Sequence, residues 1–346
     1  MKPPYVVDAD GHVFEVDAQV RALMPAPWNT GSRLQIPFDG GFNRDYFGTI
    51  GKQPRPTEPK HHLADMDVEG IDMAILYPTT GLFIGEVRDP DWEEVYCRAY
   101  NDWLANFCAT DPNRFRGVAM VPLQEPKRGI QELTRATSKL GMVAAMVPSY
   151  FRYGPPNVGD PMLHDFYAEA EKLGVPVAVH ATGGFTADTD RFRHFMQIHT
   201  CSHVLEQMIA VTAIVMGGVL EKFPRLKVGF MEAGCGWVPF WLEHMDEEFE
   251  VRHKEAPWLK RLPSQYILNS QCYFGVEPEE KLIPLAADVV GADRFFYASD
   301  YPHWDSEWPN TVKTLANRKD ITDELRQKIM CDNALNFYGI KAPVSA

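Results

Sequence analysis

Short apolar runs alternate along the chain with longer amphipathic stretches, and the alternation continues almost from end to end. The runs are Tyr5–Asp10, "DMAILYP" from Asp72, "RGVAMVP" from Arg116, "MVAAMVP" from Met142, "VPVAVHA" from Val175, "LKVGFMEA" from Leu226, "QYILNSQCYF" from Gln265 and "RFFYASD" from Arg294. Runs this apolar suit strands buried on both faces of a parallel sheet. Between them lie helical patterns such as "DWEEVYCRAYNDWLANFCATD", "KRGIQELTRATSKLG", "MLHDFYAEAEKLG" and "SHVLEQMIAVTAIVMGGVLEKFP", and a last amphipathic helix is expected over Thr322–Tyr338. Strand and helix in strict succession through 346 residues predict a single (β/α)8 TIM barrel spanning Met1–Ala346. A doubly wound open sheet is the rival, but its glycine-rich first turn is replaced here by "DADGH". Two segments interrupt the rhythm: Met24–Pro59, rich in Pro, Gly and aromatics, reads as a long loop or lid after the first strand, and Phe185–Cys201 as a shorter insertion after the fifth.

Barrel chemistry sits at the C-terminal ends of strands. There the first strand presents Asp10 and His12, the fifth His180, the sixth Glu232 and the eighth Asp300. Singly, each has a bland reading as a turn former, cap or core histidine. Together, two imidazoles and three carboxylates converging under one barrel mouth are costly to bury unless a cation or several hydrogen bonds compensate them. They predict a divalent metal site of one or two ions, and so hard a donor set admits iron and manganese beside zinc. His199 and His203, spaced i,i+4 in "QIHTCSHVLEQM", share a face if both are helical, with His203 a candidate proton donor and His199 a substrate contact. His303 and Trp304 follow Asp300 and are placed to line the pocket. His61 and His62 are expected on a surface turn.

"DADGH", "LADMDVEGIDMAILYP", "VAVH", "GGVLEKFPRLKVGFMEAG" and "ASDYPHWD" occur in an order that resembles the amidohydrolase-related (amidohydrolase 2) branch of the metal-dependent amidohydrolase superfamily, over nearly the whole chain. The branch holds decarboxylases as well as hydrolases. The resemblance implies that Asp10, His12, His180 and Asp300 are metal ligands and that Asp300 also moves protons. One position departs: decarboxylases of the branch usually carry a His at the end of the sixth strand, where this chain has Glu232. Because a carboxylate binds or bridges cations where a protonating imidazole does not, the substitution favours a hydrolase of a carboxylic amide, ester or thioester. Its catalytic groups would be Asp300, Glu232 and His203, with Glu232 also a ligand or bridge between two ions. Nonoxidative decarboxylation of an aromatic or unsaturated acid is the alternative; a barrel that only binds a partner is the least economical reading.

Composition narrows the partners. The net charge is −13 and no basic cluster interrupts it, which argues against nucleic acid or an anionic membrane as partner. No apolar run is read as a membrane span and no apolar leader opens the chain, so a cytoplasmic location is expected. The six cysteines lack CxxC spacing and read as reduced thiols. Trp28, Phe38, Phe42, Tyr46, Phe47, Tyr150, Phe151 and Phe185 suggest a small-molecule substrate with an apolar or aromatic acyl group, and a homo-oligomer is compatible with all of this.

Overall fold

A computed structural model describes residues 3, 5–30, 56–182 and 189–341. The chain runs β1 Val7–Val13, α1 Asp17–Ala22, α2 Pro59–Glu69, β2 Met73–Pro78, α3 Pro90–Cys108, β3 Phe115–Met120, α4 Pro126–Leu140, β4 Ala144–Pro148, α5 His164–Leu173 and β5 Val177–His180. It continues with α6 Phe195–Met216, α7 Val219–Lys222, β6 Val228–Met231, α8 Val238–Arg252, α9 Pro263–Tyr266, β7 Cys272–Val276, α10 Ile283–Val290, β8 Phe295–Tyr297, α11 Thr311–Ala316, α12 Asp323–Gln327 and α13 Asn333–Tyr338. The strands form one parallel sheet in the order β1 to β8, the (β/α)8 barrel expected from the alternation.

Local chemistry accounts for most boundaries. Helix α3 starts where the Asp89 carboxylate accepts from the Asp91 and Trp92 amides, with Pro90 in its first turn. It buries Trp92, Tyr96, Tyr100, Trp103 and Phe107, a helical stripe turned to the barrel. Helices α4 and α5 end at Gly141 and Gly174 with φ of 72° and 69°, where a Cβ would be strained.

Two expectations need correction, and a third falls largely outside the described residues. In "QYILNSQCYF" only the end is strand: Pro263–Tyr266 and Ile267–Gln271 are helical turns, and β7 runs on to Val276. Helix α6 starts at Phe195, so the second half of the Phe185–Cys201 insertion is helix; residues 183–188, and with them Phe185, lie outside the described residues. Of the Met24–Pro59 segment, residues 31–55 lie outside them too, with Phe38, Phe42, Tyr46 and Phe47. Helix α6 is also, by length and composition, the one described helix apolar enough to cross a bilayer. It is instead built into the barrel: Gln207 donates to the Val179 carbonyl on β5 at 2.9 Å and to the Met231 carbonyl on β6 at 2.8 Å.

The sheet closes at an unusual seam. Strand β8 stops at Tyr297, and β1 meets the residues after it through Asp300 N–H to the Asp10 carbonyl (3.0 Å) and His12 N–H to the Tyr301 carbonyl (2.7 Å). The buried Asp8 carboxylate completes the join, accepting from Ser299 N–H at 3.0 Å and Ser299 Oγ at 2.6 Å. Pairing of β1 with β2 slips between Asp8 and Gly11, a bulge. Gly11 is required there, since a Cβ would stand 2.9 Å from Asp8 Oδ2. From α13, Tyr338 Oη donates to the Ala9 carbonyl at 2.7 Å and meets Tyr77 Oη at 2.6 Å, tying the last helix to β1 and β2.

His61 and His62 are not on a turn. Both lie in α2; His61 is exposed, but His62 is buried edge-on against Phe107, Phe115 and Tyr301. Burial depresses the His62 pKa to about 3. The unfolded chain therefore binds a proton that the folded one refuses, and stability falls as pH drops from about 6.5 towards 3, by at most about 1.4 kcal/mol per pH unit. We expect urea unfolding across that range to show a shallower loss of stability on lowering pH in His62→Leu than in wild type; identical slopes would refute the assignment.

Candidate metal centre and active site

The strand ends bring Asp10, His12, His180 and Asp300 together. His12 Nδ1 lies 2.8 Å from the Pro78 carbonyl and His180 Nδ1 2.9 Å from the Ala181 carbonyl. Each Nδ1 therefore carries the proton, leaving each Nε2 lone pair for the site. His180 Nε2 stands 3.3 Å from Asp10 Oδ1, and His12 Nε2 stands 3.6 Å from that oxygen and 3.3 Å from Asp300 Oδ1. Asp10 Oδ2 and His12 Nε2 are buried and make no hydrogen bond, and the buried Asp300 Oδ1 is met by His303 Nδ1 at 2.7 Å. Orphaned donors of hard-ligand type aimed at one point fit a divalent cation. The electrostatics agree for His12, which burial, with the His303 and His180 rings beside it, holds neutral; for His180 burial is outweighed by Asp10 and Glu232, which lift it to about 9, so a cation there would have to displace the Nε2 proton.

Two groups of three ligand atoms come within 4.8 Å among the described residues: Asp10, His12 and His180, and His12, Asp300 and His303. They share His12, whose only available nitrogen is Nε2. Glu232 joins neither group. Its Oε2 meets His180 at Nδ1, 3.4 Å away, the nitrogen opposite the one facing Asp10. Its Oε1 lies 3.4 Å from His203 Nε2. Burial opposes ionisation of Glu232, but His203, His180 and His303 outweigh it and hold the carboxyl well below its usual range. In return, burial of His203 is outweighed by Glu232 and its pKa is raised. Asp300 shifts the other way, upward through burial and then the charges of Glu232, Asp305 and Asp10.

Both strand-end acids are conformationally strained. Glu232 and Asp300 each have φ of 54°, the only two residues other than glycine with positive φ among those described. Such a geometry costs about 1 kcal/mol or more and persists where surroundings impose it. For Glu232 the surroundings include Glu280, which accepts from the Cys235 amide at 2.9 Å and the Gly236 amide at 3.2 Å and so binds the β6 loop to the β7 loop. Gly234, at φ 61°, leaves room for that carboxylate, since a Cβ would lie 2.4 Å from Glu280 Oε1.

His199 and His203 are both in α6 with rings 4.7 Å apart, as their spacing predicts, and both line a cavity of about 480 Å³ above the centre. Trp304 lines it as well, 5.1 Å from the His199 ring. His303 instead lies buried behind Asp300, its Nδ1 2.7 Å from Asp300 Oδ1 and its Nε2 3.0 Å from Thr79 Oγ1. The sequence reading missed Asp305, 3.3 Å from His199 Nε2, and Glu277 at the end of β7. Glu277 was findable: ending the seventh strand at Phe274 left it three residues beyond the strand end. Tyr150, Phe151 and Trp28 do not line the cavity, so they give no support to an aromatic acyl pocket.

The Amidohydrolase family model matches residues 7–340. The chain is 28% identical over 310 residues to gamma-resorcylate decarboxylase of Rhizobium radiobacter, covering 81% of this chain and 89% of the relative. It is 23% identical over 284 residues to 2-amino-3-carboxymuconate-6-semialdehyde decarboxylase of Dictyostelium discoideum, covering 82% and 77%. The fold superposes with TM-score 0.78 on 5-carboxyvanillate decarboxylase of Novosphingobium aromaticivorans, crystallised with manganese and 4-hydroxy-3-methoxy-5-nitrobenzoic acid, at 18% identity and covering 97% and 96% of the two chains.

These relatives overturn the expectation of a hydrolase, and with it of a thioesterase: they are decarboxylases. The argument for hydrolysis took Glu232 to mean that an imidazole was missing from the site, but His203 supplies one from α6 at 3.4 Å, which no reading of strand ends alone reveals. Iron and zinc likewise find no support in these relatives, whereas manganese is bound by the structural neighbour. With its barrel and a family match over residues 7–340, the chain belongs to the amidohydrolase family.

Proposed function

We propose that this protein is a metal-dependent nonoxidative decarboxylase of an aromatic or unsaturated carboxylic acid. What supports the reading is the cluster of Asp10, His12, His180 and Asp300 beside an imidazole–carboxylate couple, on a chain whose relatives are decarboxylases. Asp10, His12, His180 and Asp300 would hold one divalent ion, manganese by analogy with the structural neighbour; the single free nitrogen of His12, shared by both groups of ligand atoms, supports one ion over two. When bound, the ion supplies a Lewis acid for the substrate carboxylate and an oxygen next to it. His303, fixed by Thr79, orients Asp300.

Glu232 favours the protonated form of His203 beside the cavity. As the bond between substrate and carboxylate breaks and carbon dioxide leaves, the proton carried by the His203–Glu232 couple passes to the carbon that lost it, replacing one C–C bond by one C–H bond. His199 and Trp304, on the cavity wall, contact the substrate from above.

Manganese-loaded protein incubated with gamma-resorcylate and related hydroxybenzoates is expected to release carbon dioxide and the decarboxylated product in equal amounts; no carbon dioxide from any of them would sink the proposal. His12→Ala and His180→Ala should lose the metal, by elemental analysis, and at least a hundredfold in turnover. Glu232→Gln should retain close to one metal per chain and lose a factor of about 10²–10⁴ in kcat, the usual range for a group that serves proton transfer. Without the Glu232 charge His203 gives up its proton more readily, so the alkaline limb of its kcat profile should move to lower pH; an unmoved limb would remove His203 from the proton path.

A further inference from the structure

Decarboxylation consumes a proton. For each carbon dioxide released, the carbon that loses it gains a hydrogen, so the His203–Glu232 couple ends every turnover one proton short and must be refilled from solvent before the next. The couple is poorly placed to draw on solvent by itself: the side chains of His203 and Glu232 are only 9% and 11% exposed, and a substrate seated on the cavity floor would stand between them and the mouth. A second imidazole–carboxylate couple lies outside the first. His199, one turn earlier on α6, holds its ring 4.7 Å from that of His203 in an edge-to-face contact, and its Nε2 lies 3.3 Å from Asp305 Oδ2 in the loop after β8. Phe195 and Trp304 flank the His199 ring at 5.3 and 5.1 Å and keep it there. His199 and Asp305 are 26% and 30% exposed, and all four residues line the same cavity, so access to solvent rises from the inner couple to the outer one.

We propose, on the footing of the decarboxylase reading, that Asp305 and His199 form a relay that returns a proton from solvent to the His203–Glu232 couple after each turnover. Asp305 Oδ2 takes the proton from solvent and hands it to His199 Nε2; the charged imidazole then yields a proton to the neighbouring His203 ring, which regains its charge beside Glu232. One proton enters for each C–H bond formed, and only O–H and N–H bonds are exchanged on the way. The surroundings suit each group to its part. Burial, then Glu232, raises the Asp305 carboxyl against the opposing influence of His303 and His203, so it takes up a proton more readily than an ordinary Asp. Burial, then His203, depresses His199 to about 4 in spite of Glu232, so this imidazole holds a proton only in passing. Burial also opposes charge on His203, as does His180, but Glu232 and Asp305 outweigh them, and His203 is where the proton comes to rest.

Asp305→Asn separates a relay from a structural prop, since the amide keeps the size of the carboxylate and still accepts from His199 Nε2 but takes up no proton near neutral pH. In manganese-loaded protein turning over a hydroxybenzoate in dilute buffer, kcat of Asp305→Asn is expected to fall about tenfold or more, while carbon dioxide release in a single turnover, with enzyme in excess of substrate, keeps the wild-type rate because His203 starts out charged. Imidazole added at the same pH should restore kcat towards wild type by delivering the proton from solution, with manganese content and the wild-type rate unaffected. An unchanged kcat, a single-turnover rate that falls as far as kcat, or a defect that imidazole leaves untouched overturns the relay. Exchange of the His203 ring proton with solvent, followed by nitrogen-15 NMR on magnesium-loaded protein, needs no turnover and should slow by a similar factor in Asp305→Asn; equal exchange in the two proteins also overturns it. Wild-type protein that releases no carbon dioxide overturns the decarboxylase reading instead, and leaves the exchange measurement to decide the relay alone.

Discussion

The join between the first and last strands is the constraint on which the site depends. A barrel of parallel strands closes only if its edges find partners, and here β8 is too short to provide a full ladder. The work passes to Asp8, whose buried carboxylate takes both donors of Ser299, and to two backbone bonds that set Asp10 against Asp300 and His12 against Tyr301. Burial lifts Asp8 to about 7, and the Ser299 hydrogen bonds are what offset that cost. The same bonds bring three of the four proposed ligands into register, because Asp10, His12 and Asp300 are the residues being paired. The bonds that close the fold thus also gather these side chains, and the bulge at Gly11 lets Asp8 and its neighbours share so little space.

Much of this was legible in the chain because barrel chemistry follows strand ends, and strands announce themselves by apolarity. Asp10, His12, His180 and Asp300 could be named from pattern alone. What escaped depends on neighbours that are remote in sequence. Asp8 looks like one more acid in "DADGH" until Ser299, 291 residues later, is seen to hold it. His62 looks polar until α2 turns it towards Phe107 and Phe115. Glu277 was lost to a misjudged strand end, since the helical turn at Ile267–Gln271 is as apolar as a strand and shifted the reading of β7 towards the N-terminus.

The error over the reaction has the same origin. Position 232 was judged by what it is, a carboxylate where an imidazole is usual, and not by what stands beside it. The left-handed backbone at Glu232 turns its side chain between His180 and His203, so the couple is made by a strand end and a helix that are far apart in the chain. Gln207, one turn beyond His203, fastens α6 to the ends of β5 and β6 and so fixes the distance between the two partners.

Glu280 has a consequence for anyone who would redesign this enzyme. By gripping the amides of Cys235 and Gly236 from the loop after β7, it welds the wall that carries Glu277 to the turn that carries Glu232. Loops of a barrel are commonly treated as exchangeable modules, each free to be randomised for a new substrate while the others keep the chemistry. Here the two loops are one mechanical part. A library that varies 277–280 to retune selectivity will also unsettle the residue beside His203, whereas Trp304, in the loop after β8 and against His199, lies outside the Glu280 brace.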